Sequence, residues 1–369
     1  MFSFKPDEFV VEEITSDGTI LEIGKQFDFG KPEDQPLERN YFTRFVLQKR
    51  EWNTAQALSE MARALHIRPP RFDSAGTKDR QAVTTQQCSA FAVPPASILA
   101  LRLKDLQING AWKATAKVRL GDLQGNRFTI TLNKENCGVE PDAKAIAAKA
   151  AEHGYLFKNY FGYQRFGSNR ENTADMGLHI LRGELKEACL NYLTFQGGER
   201  SPDAREARAR LAKEGDYAAA LGYFPRWLKY ERLLLEPLAV NQNDYAGALR
   251  RLPRNILLLF VHAFQAKLFN ERLRAYAGEW DESLEGNLVG TGSQPTPEEQ
   301  ALLDGYGLSA QSFSPASMPE LSCKGNRRKL FARMNGFALL SESPVTLRFS
   351  LDSGCYATTA LEYLLGQQH

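Results

Sequence analysis

The 369-residue sequence predicts an α+β fold in which both ends of the chain build one domain and a mainly helical domain is inserted between them. β-like runs alternate with helical ones near the start, helical patterns dominate the middle of the chain, and β-like runs return after Pro319. The length, two to three times that of a common domain, leaves room for an insertion. We therefore expect residues 1–156 and 319–369 to form the first domain and residues 157–318 the second.

The elements of the first domain follow from local patterns. Asn53 is a favourable N-cap for a helix that reaches about His66, and Asp142 begins a short Ala-rich helix that ends at His153. Runs of β-branched and aromatic residues predict strands at 9–11, 19–23, 40–48, 82–85, 112–120 and 128–132.

The later part of the chain is divided by charge. Residues 203–215 are a charged, Ala-rich helical run. Residues 277–304 carry seven acidic residues and no Lys or Arg, which predicts an exposed loop or linker. Strands are then predicted at 329–334, 345–351 and 357–365.

Composition excludes several classes of protein. The chain is 43% hydrophobic, 24% charged and 11% aromatic, which rules out global disorder, collagen and coiled-coil rods. Five scattered cysteines without a CxxC pair favour reduced thiols. The start of the chain has no signal-peptide pattern, and the most apolar stretch, 256–264, is about half a membrane span. We expect a cytoplasmic protein with no membrane partner.

Common catalytic motifs are missing from the sequence. It contains no Walker phosphate loop, no GxGxxG after a strand, no HExxH and no GxSxG. The five histidines are scattered, so neither a metal site nor Ser-His catalysis is supported. We therefore expect no metal and no cofactor.

The segment from Ser74 to Gln87 (SAGTKDRQAVTTQQ) places Asp79 between Lys78 and Arg80 at a turn. Flanking cations favour an ionised carboxylate. Such a carboxylate can act as a nucleophile or base without a cofactor. The same spacing also suits a solvated charged turn, and the residues alone leave both interpretations open.

The segment from Tyr155 to Arg170 (YLFKNYFGYQRFGSNR) holds six aromatic and three basic residues in sixteen positions. Bases stack on aromatic rings while Lys and Arg contact phosphates, so this composition is typical of binding to single-stranded or unstacked RNA. Aromatic packing at a domain hinge would explain it equally well.

Charge is uneven although the net charge is only +2. Residues 324–333 carry five basic residues and no acid, and Arg250, Arg251 and Arg254 form another cluster. This distribution fits a phosphate-binding surface between two lobes, whereas each cluster alone fits a solvated, charge-balanced surface.

Six motifs together resemble the TruD family of tRNA pseudouridine synthases, over nearly the whole chain. They stand in the family's order, and the second and fourth are highly specific: DEFVVEE at 7–13, AGTKDRQAVTTQ at 75–86, GNRF at 125–128, NYFGYQRFG at 159–167, RNILLLFVHAFQAKLFNER at 254–272, and FSLDSGCYATT at 349–359. The resemblance implies a catalytic domain with a mixed, largely antiparallel sheet and an inserted, mainly helical TRUD domain. The long charged stretch 197–252 resembles archaeal and eukaryotic relatives.

The resemblance also implies an activity and a partner. The target would be a uridine of tRNA, at position 13, and Asp79 would be the catalytic nucleophile. The uridine would be flipped out of the RNA stack, attacked at the ribose anomeric carbon or at the uracil ring, and re-attached through carbon 5. This isomerisation consumes no cofactor. We expect a monomer whose partner is tRNA.

The resemblance assigns further residues to the site. Phe128 matches the aromatic residue that stacks on the target base, Phe349 matches a second aromatic lining the pocket, and Asn126 matches a polar group close to the aspartate. Lys5 stands near the place of the lysine that pairs with the aspartate in relatives. Arg80 is a neighbouring cation for substrate binding.

Two other classes of function share these features. A non-catalytic RNA-binding or RNA-chaperone protein could have the same fold, and an N-glycosidase would use the same carboxylate but release the base. The joint presence of Asp79, Asn126 and Phe128 favours the isomerase.

Overall fold

The structure, a computed structural model, describes residues 2–29, 41–167 and 170–367. Contacts between Cα atoms divide the chain into two compact units. One unit comprises residues 1–157 and 332–369, and the other comprises residues 158–331. The α+β class, with a sheet built from both chain ends and a mainly helical insertion, is confirmed.

The strands of the described residues belong to one large sheet and two small ones. The large sheet has eight strands in the order β11-β12-β6-β1-β4-β2-β5, with β3 paired to β4; β7 pairs with β10 and β8 with β9. Their bounds are β1 Phe9–Thr15, β2 Phe42–Arg50, β3 Phe72–Ser74, β4 Val83–Phe91, β5 Leu106–Ala114, β6 Leu123–Leu132, β7 Leu156–Lys158, β8 Glu285–Leu288, β9 Asn326–Lys329, β10 Phe331–Arg333, β11 Asn335–Glu342 and β12 Val345–Asp352.

Helices cover one face of the large sheet and build most of the second unit. Their bounds are α1 Thr54–Ala64, α2 Pro95–Leu99, α3 Lys134–Cys137, α4 Ala143–Ala151, α5 Thr173–Arg182, α6 Leu185–Thr194, α7 Pro202–Glu214, α8 Tyr217–Tyr223, α9 Lys229–Val240, α10 Tyr245–Arg250, α11 Arg254–Ala275, α12 Pro297–Gly305 and α13 Ala357–Leu364. The side chains of Asn53 and Asp142 cap α1 and α4 as the sequence predicts. No described helix is long and apolar enough to cross a membrane.

Two apolar clusters lie on one face of the large sheet. The first joins β1, β6 and β12 to α4 and α13, and the second joins β2 and β4 to α1 and α2. In the large sheet β1 pairs with β4 in parallel and with β6 antiparallel, and β12 pairs antiparallel with β6, so that Phe128 stands opposite Phe349. Gly125 permits this approach, because a Cβ there would lie 2.1 Å from the carbonyl oxygen of Leu351.

The second unit is organised around the 22-residue helix α11. A Cβ at Gly177 of α5 would lie 2.1 Å from the carbonyl oxygen of Phe260, so glycine allows α5 to lie directly on α11. Arg208 is 1% exposed and forms ion pairs with Glu231 and Glu199. Glu231 also accepts a hydrogen bond from Arg170. These pairs link α7 to α9.

Residues 357–364 form α13, so the prediction of a strand at 357–365 was wrong. The β-branched Thr358 and Thr359 favour a strand locally. Four apolar residues at helical spacing outweigh them by packing into the first cluster: Ala357, Ala360, Leu361 and Leu364.

Residues 19–23 form no strand, which also corrects the prediction. Leu21 packs against Val46 and Trp112 across the other face of the sheet. Its carbonyl accepts a hydrogen bond from Thr85 Oγ1. The backbone pairing with β1 is limited to one antiparallel bridge, Ile14 with Ile20, and two hydrogen bonds, from Thr15 to Thr19 and from Leu21 to Glu13.

Three predicted strands are shifted along the chain or divided in the structure. The amide of Val118 donates to Ser89 Oγ, so the chain leaves the sheet before that residue. Asn40, the first residue of the strand predicted at 40–48, lies outside the described residues. The observed bounds are 42–50 for the strand predicted at 40–48, 106–114 for that at 112–120, and 326–329 with 331–333 for that at 329–334.

The acidic segment 277–304 is not a simple loop. It contains β8 and nearly all of α12, and two of its acids pair with bases of the segment 324–333. Glu285 pairs with Arg327 at 3.0 Å, and Glu282 pairs with Lys329 at 3.3 Å. Residues 319–331 therefore fold with the second unit, and the junction lies at 331/332 rather than at 318/319.

Replacing Glu231 with Ala should lower the free energy of unfolding by about 3–5 kcal/mol, because Arg208 would keep a buried charge without this partner. The matched control is Glu214→Ala, which removes the exposed helical pair with Arg210 and should cost under about 1 kcal/mol. Urea unfolding of the three proteins measures both values. Equal losses would show that the buried pair contributes no more than the exposed one.

Candidate active site

Asp79 lies in the loop that joins β3 to β4, and its side chain is exposed. Side chains of the sheet and of α1 hold the backbone of this loop by hydrogen bonds. The amide of Lys78 donates to Thr54 Oγ1 at 3.0 Å, and Gln86 Nε2 donates to the carbonyl of Gly76 at 3.1 Å. Thr54 Oγ1 in turn donates to Gln86 Oε1 at 2.9 Å. The backbone is thus fixed while the carboxylate faces solvent.

Lys49 is the cation beneath this loop. Its Nζ donates to the carbonyl oxygen of Asp79 at 2.8 Å and to that of Lys78 at 3.4 Å. The side chain is 1% exposed, and burial lowers the pKa of Lys49 to about 8, while the negative charge of Asp79 opposes this shift. Lys49 was not among the residues expected at the site. Its signal was alternation in β2, where Phe45, Leu47 and Lys49 share the buried face.

Lys78 is engaged with a different carboxylate. Its Nζ lies 2.9 Å from Glu13 Oε2 and donates to Asn126 Oδ1 at 2.7 Å. Glu13 is fully buried and accepts the amide of Gln87 at 2.8 Å through Oε1. Glu13 therefore neutralises Lys78 and holds it beside Asn126.

These groups form a polar band between the two apolar clusters. Glu13 stands opposite Asn126 in the pairing of β1 with β6, and Lys49 stands opposite Thr84 in the pairing of β2 with β4. A buried charge is tolerated only where it is paired or hydrogen-bonded, and both lysines meet that condition. The band therefore supports the Asp79 loop across four adjacent strands.

Phe128 and Phe349 lie together next to this band. Their ring centroids are 5.9 Å apart, and Phe9 packs 6.0 Å from Phe128. Phe128 is 5% exposed and Phe349 is 1% exposed. Asn126 and Phe128 lie two positions apart on β6, so both project from the same face of the sheet.

Neither Lys5 nor Arg80 forms an ion pair with Asp79 among the described residues. Both side chains are exposed. The amide of Lys5 donates to Glu8 Oε2 at 2.8 Å, and among the described residues Lys5 makes no ion pair with Asp79. Arg80 likewise makes no ion pair with another described residue. The negative charge of Asp79 acts on the buried Lys49.

The aromatic segment that begins at Tyr155 is partly a packing element. Asn270 of α11 bonds both backbone groups of Phe161, at 2.8 and 2.9 Å. The guanidinium of Arg328 lies 4.1 Å from the centre of the Phe161 ring and also bonds Asn159. This half of the segment anchors the chain to α11.

No metal site accompanies these groups. In the described parts of the chain, no cluster of three or more His, Cys, Asp or Glu side chains could hold a metal ion. The arrangement offers an exposed carboxylate on a fixed loop that a buried cation supports, and packed aromatic rings next to the polar band.

Comparison with known proteins identifies a common family. The sequence model described as tRNA pseudouridine synthase D (TruD) matches residues 3–302 and 286–363. A probable tRNA pseudouridine synthase D of Methanopyrus kandleri is 35% identical over 351 residues, covering 89% of this chain and 87% of the relative. One of Methanococcus vannielii is 32% identical, covering 98% and 94%.

A solved structure agrees with these sequence matches. The crystal structure of the putative tRNA pseudouridine synthase D (TruD) from Methanosarcina mazei superposes with a TM-score of 0.70 at 26% identity. The match covers 99% of this chain and 93% of that one. The likeness extends over both units.

Lys49 should make stability depend on pH in the alkaline range. The pKa of Lys49 in the folded protein is about 8, below its ordinary value of 10.5. Below about pH 8 the side chain is charged in both states, and burying that charge lowers the free energy of unfolding. As pH rises from 8 to 10.5, the unfolded chain holds more protons at this site, and the free energy of unfolding should rise by up to about 3 kcal/mol.

The measurement compares wild type with Lys49→Met by chemical unfolding at several pH values. The difference between the two proteins removes the titration of all other groups. Parallel stability curves from pH 7 to 11 would contradict the assignment.

Proposed function

The chain belongs to the TruD family of tRNA pseudouridine synthases, and from that premise we propose that it isomerises a uridine of tRNA, at position 13, to pseudouridine with Asp79 as the nucleophile. The observation that carries this proposal is the exposed Asp79 carboxylate on a loop whose backbone is fixed by Thr54, Gln86 and Lys49. A nucleophile held this way needs little reorganisation when the substrate arrives.

The chemistry requires a carboxylate and a confined base. Asp79 attacks the flipped uridine at the ribose anomeric carbon or at the uracil ring, and the bond between nitrogen 1 and the ribose breaks. The base turns and forms a carbon–carbon bond through carbon 5, whose hydrogen is then lost while a proton is taken up at nitrogen. Product and substrate contain the same atoms, so the reaction itself calls for no oxidant, reductant or co-substrate.

The buried cation holds the backbone of Asp79 in place. Lys49 puts a positive charge beneath Asp79 while its hydrogen bond goes to the backbone, which leaves the carboxylate oxygens free of that donor. The neighbouring Lys78 is neutralised by Glu13. We therefore assign a positioning role to Lys49, and to the Glu13–Lys78 pair that of orienting Asn126.

The target base is proposed to lie beside Phe128. Two observations support this proposal: Lys78, the neighbour of Asp79 in the chain, donates a hydrogen bond to Asn126, and Phe128 lies two positions from Asn126 on β6. Phe9 and Phe349 hold the Phe128 ring in place. Aromatic walls exclude water and retain a detached base.

Contacts with the RNA backbone would come from exposed cations. Arg80 follows Asp79 directly, and its exposed guanidinium suits a phosphate next to the flipped nucleotide. Lys5 is also exposed and serves as a second proposed phosphate contact. We further propose that the enzyme works as a monomer in the cytoplasm; all five cysteines are free thiols, which fits a reducing compartment.

Asp79→Asn should reduce pseudouridine formation by at least about 10³-fold, because the amide cannot act as the nucleophile. Binding of tRNA should stay within about twofold of wild type. The assay maps pseudouridine by sequencing of tRNA incubated with purified protein, and it also measures released uracil.

The control variant is Asp73→Asn, which removes a carboxylate of β3 that pairs with Lys117. This variant should retain activity. Undiminished modification by Asp79→Asn would refute the assignment. Free uracil in place of pseudouridine would indicate an N-glycosidase, and neither product would indicate an RNA-binding protein.

Phe128→Leu should lower kcat/KM by a factor that corresponds to about 1–3 kcal/mol, because base stacking is lost. Leucine preserves most of the buried volume, so stability should fall by less than about 1.5 kcal/mol. Phe9→Leu is the matched control, since Phe9 is also 5% exposed and packs against Phe128. Similar kinetic losses in both variants would mean that Phe128 acts only through packing.

A further inference from the structure

The second unit contains a cavity of about 230 Å³ that has no part in the site around Asp79. Phe161 and Arg165 of the NYFGYQRFG motif line one side, His262 and Gln265 of α11 line another, and Cys323 and Asn326 lie at the start of β9. The volume equals that of about eight liquid waters, which is enough for a phosphate and an attached sugar. Asn326 is exposed, so solvent reaches the rim.

The lining is basic and contains no acid. Arg165 and His262 are its titratable nitrogen groups, and neither Asp nor Glu belongs to it. Other arginines nearby have anionic or carbonyl partners, as Arg327 has in Glu285 and Arg328 has in the carbonyl of Asn159. A basic lining without a carboxylate is complementary to an anion.

Arg165 has unused hydrogen-bonding capacity. Its Nε is buried, and no described residue accepts a hydrogen bond from it. The guanidinium carbon lies 5.6 Å from the centre of the Phe161 ring, which holds the side chain at the cavity wall. A buried guanidinium nitrogen without an acceptor is unfavourable, and a ligand oxygen would relieve that cost.

His262 reports the same local field. Burial and the positive charge of Arg165 both lower the pKa of His262, so the imidazole is neutral at pH 7 and Arg165 supplies the charge. A bound anion would stabilise the imidazolium and raise this pKa again. The pKa of His262 should therefore report whether an anion occupies the cavity.

The rest of the lining is already fixed. Gln265 Nε2 donates to the carbonyl of Val289 at 2.6 Å, and Asn270 holds the backbone of Phe161 through two hydrogen bonds. The cavity thus keeps its shape without a ligand, which favours binding because little ordering is needed.

We propose that this cavity binds a phosphate group of the RNA substrate, with Arg165 as the charged contact and His262 beside it. The ligand class is a phosphodiester with its attached ribose. The proposal rests on the proposed function, since it takes tRNA as the substrate. It places one RNA contact in the inserted unit, in the motif that sequence analysis assigned either to RNA binding or to packing.

The test measures tRNA affinity of wild type, Arg165→Gln and Arg165→Lys over a range of salt concentrations. Arg165→Gln should weaken binding about tenfold and reduce the slope of log affinity against log salt by about one. Arg165→Lys should keep most of the slope, because the charge remains, but bind less tightly than wild type. The control is Arg210→Gln, which replaces an exposed arginine paired with Glu214. Its tRNA affinity should stay within twofold of wild type.

A second measurement identifies the source of the anion. The pKa of His262, assigned in NMR spectra with His262→Gln, should rise when an RNA fragment binds to wild type and should not rise with Arg165→Gln. Inorganic phosphate and uridine monophosphate are titrated separately. A response to these small anions, with tRNA affinity independent of Arg165, would overturn the proposal in favour of a free anion.

These outcomes are separable from the proposed function. Wild type that forms pseudouridine, together with Arg165→Gln of unchanged affinity and salt slope, would refute the RNA contact alone. Wild type without product would refute the proposed function whatever Arg165 does. Thermal unfolding of each variant shows whether it is folded. If Arg165→Gln is unstable, Arg165→Lys still tests the proposal.

Discussion

The arrangement of the first unit depends on burying two lysine side chains under one loop. Lys49 and Lys78 lose their water almost completely, so each must find oxygen atoms within the fold. Lys78 finds Glu13 and Asn126, whereas Lys49 finds the backbone carbonyls of residues 78 and 79. These contacts tie strands β1, β2 and β6 to the Asp79 loop, which is why the carboxylate has a defined position although it is exposed.

In the second unit, the helices pack around one long central helix. This helix is α11, and glycine at position 177 lets α5 approach its backbone. Two acids of 277–304 pair with two bases of 324–333 within this unit, Glu285 with Arg327 and Glu282 with Lys329. A cluster of basic residues is therefore a poor guide to binding here, and Arg165 Nε, which has no acceptor among the described residues, is more informative.

Much of the fold could be predicted from local patterns, since α1, α4 and most strands follow from capping residues and β-branched runs. The errors at 19–23 and 357–365 arose where tertiary packing overrode local propensity, as at Leu361. For the site, the motif pointed to Asp79, but the cations considered for it were Lys5, by resemblance, and the sequence neighbours Lys78 and Arg80. Lys49 is thirty residues away and becomes a neighbour only through strand pairing, which composition and spacing do not reveal.

The pairing of β6 with β12 has a consequence for how the protein is made. Thr131 and Thr346 meet across these strands although 215 positions separate them, and the whole second unit lies between them in the chain. During synthesis the inserted helices leave the ribosome before β12 does, so they can fold while β6 still lacks this neighbour. The wall formed by Phe128 and Phe349 is therefore among the last parts to form, and a chain arrested before β12 would carry Asp79 without a finished pocket.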